Sequence, residues 1–120
     1  MAKRSGKGLG RLSRAFGWSM SGLKATFVHE AAFRQELLLC IVLTPFAFYL
    51  GGTGVEKALL LGSLFLILIA ELLNSAVEAV IDRIGEDDHE LAGRAKDMGS
   101  AAVFLALVNA GVIWLMIILP

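Results

Sequence analysis

Between Glu71 and Asp82 an otherwise apolar run, "ELLNSAVEAVID", carries two glutamates, an asparagine and an aspartate. On a helix advancing about 100° per residue, Glu71, Asn74, Glu78 and Asp82 fall at about 0°, 300°, 340° and 20°. They make one stripe. An aspartate at the centre of a membrane helix costs at least about 2.5 kcal/mol on insertion scales, and such groups face a bundle interior or a wet cavity. The stripe is therefore a candidate site on physical grounds alone. Hydrogen-bonded glue between helices is the competing reading, although a single asparagine would be enough for that. Carboxylates at a membrane face, with lysine and arginine nearby, suit an Mg²⁺-bound polyphosphate. Magnesium takes one or two carboxylates and leaves its other positions to water and phosphate oxygens.

Two further polar clusters flank this one. In "HEAAFRQE" (29–36), Glu30 and Arg34 are spaced i, i+4 in the order that favours an ordinary helix-surface ion pair, while Glu36 stands close to the start of an apolar run. The stretch "DRIGEDDHELAGRAKD" (82–97) reads as a charged loop, with Lys96 and Asp97 adjoining the next apolar segment. The glycine-rich "SGKGLGRLS" does not fit G-x-x-x-x-G-K-[ST], no protein-kinase signature occurs, and a nucleotide site would have to be unconventional. Those glycines read as a flexible tail. Cys40 is the single cysteine, which excludes an intramolecular disulfide and a cysteine-built zinc site and points to a lipid- or helix-facing apolar residue.

The elements that must carry these groups follow from hydropathy. The chain has 120 residues, 57% of them hydrophobic, and a mean hydropathy of +0.72, too apolar for an ordinary soluble domain of that length. One all-α membrane domain is expected, with spans at about 30–50, 58–82 and 98–119. The apolar run 37–50 alone would reach only about 21 Å across roughly 30 Å of hydrocarbon, so the first span has to start near Glu30. Ahead of it, Leu9, Leu12, Phe16, Met20, Leu23 and Phe27 recur at helical spacing, and Arg11 and Arg14 lie off that stripe. This predicts an amphipathic interfacial helix at about 9–28 on an anionic surface. Trp18 falls nearly opposite the apolar stripe, where an interfacial aromatic and a ligand contact are both open readings.

Residues 1–29 hold Lys3, Arg4, Lys7, Arg11, Arg14 and Lys24 and no acid. No short apolar core with a cleavage site follows, so the basic segment is expected to be retained. Arg83, Arg94 and Lys96 mark the connection between the second and third spans, against Lys57 alone between the first and second. Both basic segments are expected on the cytoplasmic side. In the third span Asn109, near Ala102, Ala106 and Ala110, reads as packing glue.

The blocks "EAAFRQE" (30–36), "ELLNSAVEAVIDRIG" (71–85) and "HELAGRAKDMGSAAV" (89–103) closely resemble, in order and spacing, the signature blocks of the prokaryotic diacylglycerol kinase family. The resemblance runs from about Gly17 to the end of the third span. It implies a homotrimer in the bacterial inner membrane that phosphorylates a lipid alcohol with MgATP at the cytoplasmic interface. By the same resemblance Glu71 is the catalytic base, and Glu30 and Glu78 are the magnesium ligands. Arg11, Trp18, Glu30, Glu78, Asp87, Asp88, His89, Lys96 and Asp97 contact ATP, and Arg34, Glu36, Glu71, Asn74 and Ser100 lie by the lipid. Asp88 departs from the pattern, standing where the family has an aromatic. Diacylglycerol is the expected substrate, with undecaprenol kinase as the alternative inside the family and a small cation-coupled transporter subunit as the alternative outside it. No nucleic-acid partner is expected.

Overall fold

The computed structural model describes residues 7–85 and 89–120. It is all-helical: α1 (Gly8–His29), α2 (Ala31–Leu50), α3 (Gly54–Ile84) and α4 (Glu90–Ile118). The last three are each long and apolar enough to cross a membrane. α1 runs unbroken through Gly10, Gly17 and Gly22. Its apolar stripe points outward, with Leu12 60% and Phe16 65% exposed, while Ala15, Trp18 and Thr26 on the other side are half-buried. That is the arrangement of a helix lying on lipid, its greasy face reserved for something outside the chain.

α3 is the centre of the fold. It packs along α4 for most of its length and against α2 on another face. The core consists of Cys40 from α2, Leu64, Ile67 and Ala70 from α3, and Ala106 and Ala110 from α4. Lipid tails are as apolar as leucine, so close packing and hydrogen bonds rather than water exclusion hold spans together. The small side chains of α4 on this seam let the backbones approach. Two polar contacts add to it: Trp114 Nε1 donates to Ser63 Oγ at 3.0 Å, and Ser63 Oγ donates to the Leu60 carbonyl at 2.7 Å. Cys40 is buried against α3, its thiol 3.6 Å from the Leu64 carbonyl, as its apolar reading required. Ala102, by contrast, is exposed and takes no part in the seam.

Two junctions set the geometry of the site. Between α1 and α2 only Glu30 leaves helical conformation (φ −116°, ψ 108°). Between α2 and α3 the chain turns over "GGT". Thr53 Oγ1 accepts from the Glu56 N–H at 3.1 Å, and Glu56 Oε1 accepts from the Gly52 N–H at 2.7 Å, a reciprocal cap that starts α3. Gly51 is required there, because a β-carbon would lie 2.7 Å from Lys57 Cγ and 2.9 Å from the Lys57 nitrogen.

α3 has 31 residues, about 46 Å at helical rise against roughly 30 Å of hydrocarbon, so one end projects from the membrane. α4 does the same. The segment 82–97, read from sequence as a charged loop, is largely helix: residues 82–84 complete α3 and 90–97 open α4. The solvated charges sit on helix extensions because each span continues past the lipid without a breaking residue.

Candidate functional site

The stripe on α3 grades from inside to outside. Glu71 is only 5% exposed, Asn74 and Glu78 are half-buried, and Asp82 is exposed. Seven residues separate Glu71 from Glu78, about 10 Å along the axis. Glu71 thus lies deepest, and it is not alone there. The carboxyl group of Glu36, from α2, adjoins that of Glu71, and one Glu36 oxygen, Oε2, is buried without a hydrogen-bond partner. Sequence reasoning put both residues near one substrate but missed that they touch. The crossing of α2 over α3 creates the pair, and sequence spacing carries no signal of it.

One turn further out, Asn74 Nδ2 donates to Glu78 Oε1 at 2.9 Å, which holds that carboxylate in place. Its own Oδ1 is buried and has no partner. At the exposed end, Lys96 Nζ of α4 lies 3.3 Å from Asp82 Oδ1. Both side chains are largely solvated, so the pair is worth at most about 1 kcal/mol in stability. Its interest is positional: it brings the ammonium over the outer end of the acidic stripe. Lys96 and Asp97, both expected near the nucleotide, point different ways, because adjacent residues on a helix do not face each other. Asp97 and Ser100 are exposed on α4.

The Glu30–Arg34 ion pair is not formed. Arg34 Nη1 instead donates to the carbonyls of Phe27 (2.7 Å) and Val28 (3.0 Å), closing the last turn of α1. The carbonyls at a helix end need donors, and the one-residue break at Glu30 puts them within reach of the guanidinium. Glu30 itself is half-buried and opens on a groove of about 750 Å³ between α1 and α3, which Ser19, Thr26, Ser75 and Asp82 also line. Trp18 lies on the inward side of α1, and Arg11 is exposed near its start. His89 caps α4, its Nδ1 accepting from the Leu91 N–H at 3.0 Å, which leaves Nε2 as the protonated nitrogen of the neutral ring. Asp87 and Asp88 lie outside the described residues.

Among the described residues no three His, Cys, Asp or Glu side chains gather to enclose an ion. The available donors are hard carboxylate oxygens in ones and twos, with Glu78 oriented by an amide. That set fits magnesium, which keeps several positions for water and phosphate.

The prokaryotic diacylglycerol kinase family profile matches residues 17–118. A diacylglycerol kinase from Haemophilus influenzae is 50% identical over 107 residues, covering 89% of this chain and 91% of that protein. The diacylglycerol kinase of Escherichia coli K12 is 48% identical over 107 residues, covering 89% and 88% respectively. That of Pseudomonas aeruginosa is 50% identical over 112 residues, covering 93% and 91%. With the profile running from the middle of α1 to the end of α4 and such relatives matched along almost their whole length, this chain belongs to the prokaryotic diacylglycerol kinase family.

Proposed function

We propose that this protein transfers the γ-phosphoryl group of ATP to the hydroxyl of diacylglycerol, yielding phosphatidic acid and ADP, at the cytoplasmic face of the membrane. The observation that carries the reading is the graded stripe on α3, with a buried carboxylate at its inner end and an ammonium at its outer end. A lipid alcohol arrives from the bilayer and a nucleotide from water. Only a site that spans that boundary serves both.

In this reading Glu71 accepts the proton of the lipid hydroxyl at a carboxylate oxygen as that hydroxyl oxygen attacks the γ-phosphorus. General-base assistance of this kind contributes typically about 10²–10⁴-fold. Glu36, adjoining Glu71, meets the same hydroxyl, and Arg34 and Ser100 stand toward the lipid headgroup. Asn74 orients Glu78. Glu30 and Glu78 would hold magnesium, which when bound offsets the charge of the polyphosphate. Lys96 turns its ammonium toward the phosphates, with Arg11, Trp18, His89 and Asp97, and by the family resemblance Asp87 and Asp88, around the nucleotide. The basic residues of 1–29 and of the α3–α4 connection support a cytoplasmic location for this end of the molecule.

The chain works as a homotrimer in this proposal. The exposed apolar faces of its spans, Phe65, Phe104 and Leu105 among them, accommodate neighbouring subunits as well as lipid. The test is ATP labelled at the γ-position, incubated with purified protein, Mg²⁺ and either diacylglycerol or undecaprenol in mixed micelles. Label in phosphatidic acid is expected. Label only in undecaprenyl phosphate would move the chain to the other branch of the family, and ATP-independent proton flux in vesicles without any labelled lipid would make it a transporter.

A further inference from the structure

Gly99 stands inside α4, opposite Asn74 of α3. A β-carbon built on it would run into Asn74 Oδ1 and lie 3.2 Å from Cγ and 3.6 Å from Cα of the same residue. The other glycines within the long helices α3 and α4, at 54, 62, 93 and 111, would carry a methyl group into open space. Elsewhere on the α4 seam, Ala106 and Ala110 pack against α3 with their methyls in place. Gly99 is thus the position on this seam where a missing side chain makes room for a polar group. It costs something to keep, since glycine inside a helix is about 1 kcal/mol less favourable than alanine.

The group it accommodates is not a free end. Asn74 Nδ2 donates to Glu78 Oε1, and Glu78 when ionised can only accept, so the amide must present its nitrogen outward along α3 and its oxygen toward Gly99. Asn74 has two side-chain torsions. Rotating the amide off a new methyl group takes its N–H off Glu78, and flipping it sets two oxygens face to face. A single methyl at position 99 therefore reaches the carboxylate through the amide.

We infer that Gly99 is a positioning residue for the phosphoryl-transfer site, keeping the Asn74 amide where it orients Glu78. The task given to Glu78 rests on the kinase reading above, whereas the packing relation among the three residues does not. Removing an outer partner of a metal ligand typically costs about 10–100-fold in metal affinity or activity.

The experiment compares the full chain with Gly99→Ala, Asn74→Ala and the double variant, each purified in detergent. It reads the Asn74 side-chain amide resonance, the binding of Mn²⁺ by electron paramagnetic resonance, and the Mg²⁺ dependence of lipid phosphorylation. Gly99→Ala is expected to shift the amide resonance, weaken Mn²⁺ binding and raise the half-saturating Mg²⁺ about tenfold or more. Asn74→Ala should match the metal effects, and the double variant should be no worse than Asn74→Ala, because the methyl then has nothing to displace. Wild-type behaviour in Gly99→Ala overturns the inference. So does a double variant whose defect is the product of the two single defects, which would mean that Gly99 acts through packing elsewhere. Should Gly99→Ala not fold, a double variant that folds supports the inference, and one that fails while Asn74→Ala folds overturns it. A wild-type protein that labels no lipid would remove the kinase reading, and the amide resonance and Mn²⁺ binding, which need no turnover, would still decide the role of Gly99.

Discussion

Replacing Glu71 with glutamine separates chemistry from structure at one residue. The substitution keeps shape and removes basicity, so a lost general base should lower kcat by about 10²–10⁴, or roughly 2.7–5.4 kcal/mol at 1.36 kcal/mol per decade. The surroundings make a second, opposite demand. The Glu36 carboxyl adjoins this position and one of its oxygens is buried without a partner, so an amide at position 71 would offer that carboxyl an N–H. A hydrogen bond to a charged acceptor is worth about 1.5–3 kcal/mol in soluble proteins, but interhelical bonds in membranes measure nearer 0.6 and at most about 1.7. We therefore expect Glu71→Gln to gain about 1 kcal/mol of stability while losing turnover. The assay is transfer of labelled phosphate to diacylglycerol at saturating lipid and ATP, beside thermal unfolding of the same detergent-solubilised preparation. Near-normal turnover in Glu71→Gln with an inactive Asp97→Asn would refute the assignment of the base. A lower unfolding temperature would refute the reading of Glu36 and Glu71 as a carboxyl pair that a donor relieves.

Glu78→Gln should raise the half-saturating Mg²⁺ on the order of ten- to a hundredfold and lower activity with it, since a neutral amide is a poorer ligand for a hard cation; a metal dependence identical to wild type would make the residue structural. Serine at Leu12, Phe16 and Leu23 together removes three exposed apolar side chains from the outer face of α1. At about 1.5–3 kcal/mol per buried side chain, the apparent KM for lipid should rise at least tenfold with little change in that for ATP, and unchanged lipid kinetics would take α1 off the membrane surface. Asn109→Leu, half-buried beside Ala110 on α4, should weaken subunit association by about 1 kcal/mol in detergent and leave turnover per intact trimer within a factor of two. A large turnover loss in an intact trimer would place Asn109 in the catalytic machinery instead.

What could be read from the sequence was whatever depends on periodicity and on the cost of polarity in lipid. Three spans, a surface helix with one greasy side, and a polar stripe on the second span all follow from spacing at 3.6 residues per turn and from 20-residue apolar lengths, which need no knowledge of neighbours. The start of the first span near Glu30 followed too, because residues 37–50 alone are too short to cross. The tertiary structure decided every pairing between elements. Arg34 went to the end of α1 rather than to Glu30 because open helix carbonyls lay within its reach. Lys96 crossed to Asp82, since its chain neighbour Asp97 points another way around α4. Glu36 came against Glu71 through the crossing of α2 over α3, and Gly99 gained its importance only from what stands opposite it. Spacing along one helix determines which residues share a face. The angle, distance and register of a second helix determine what that face meets, and those depend on side-chain packing summed along the whole seam.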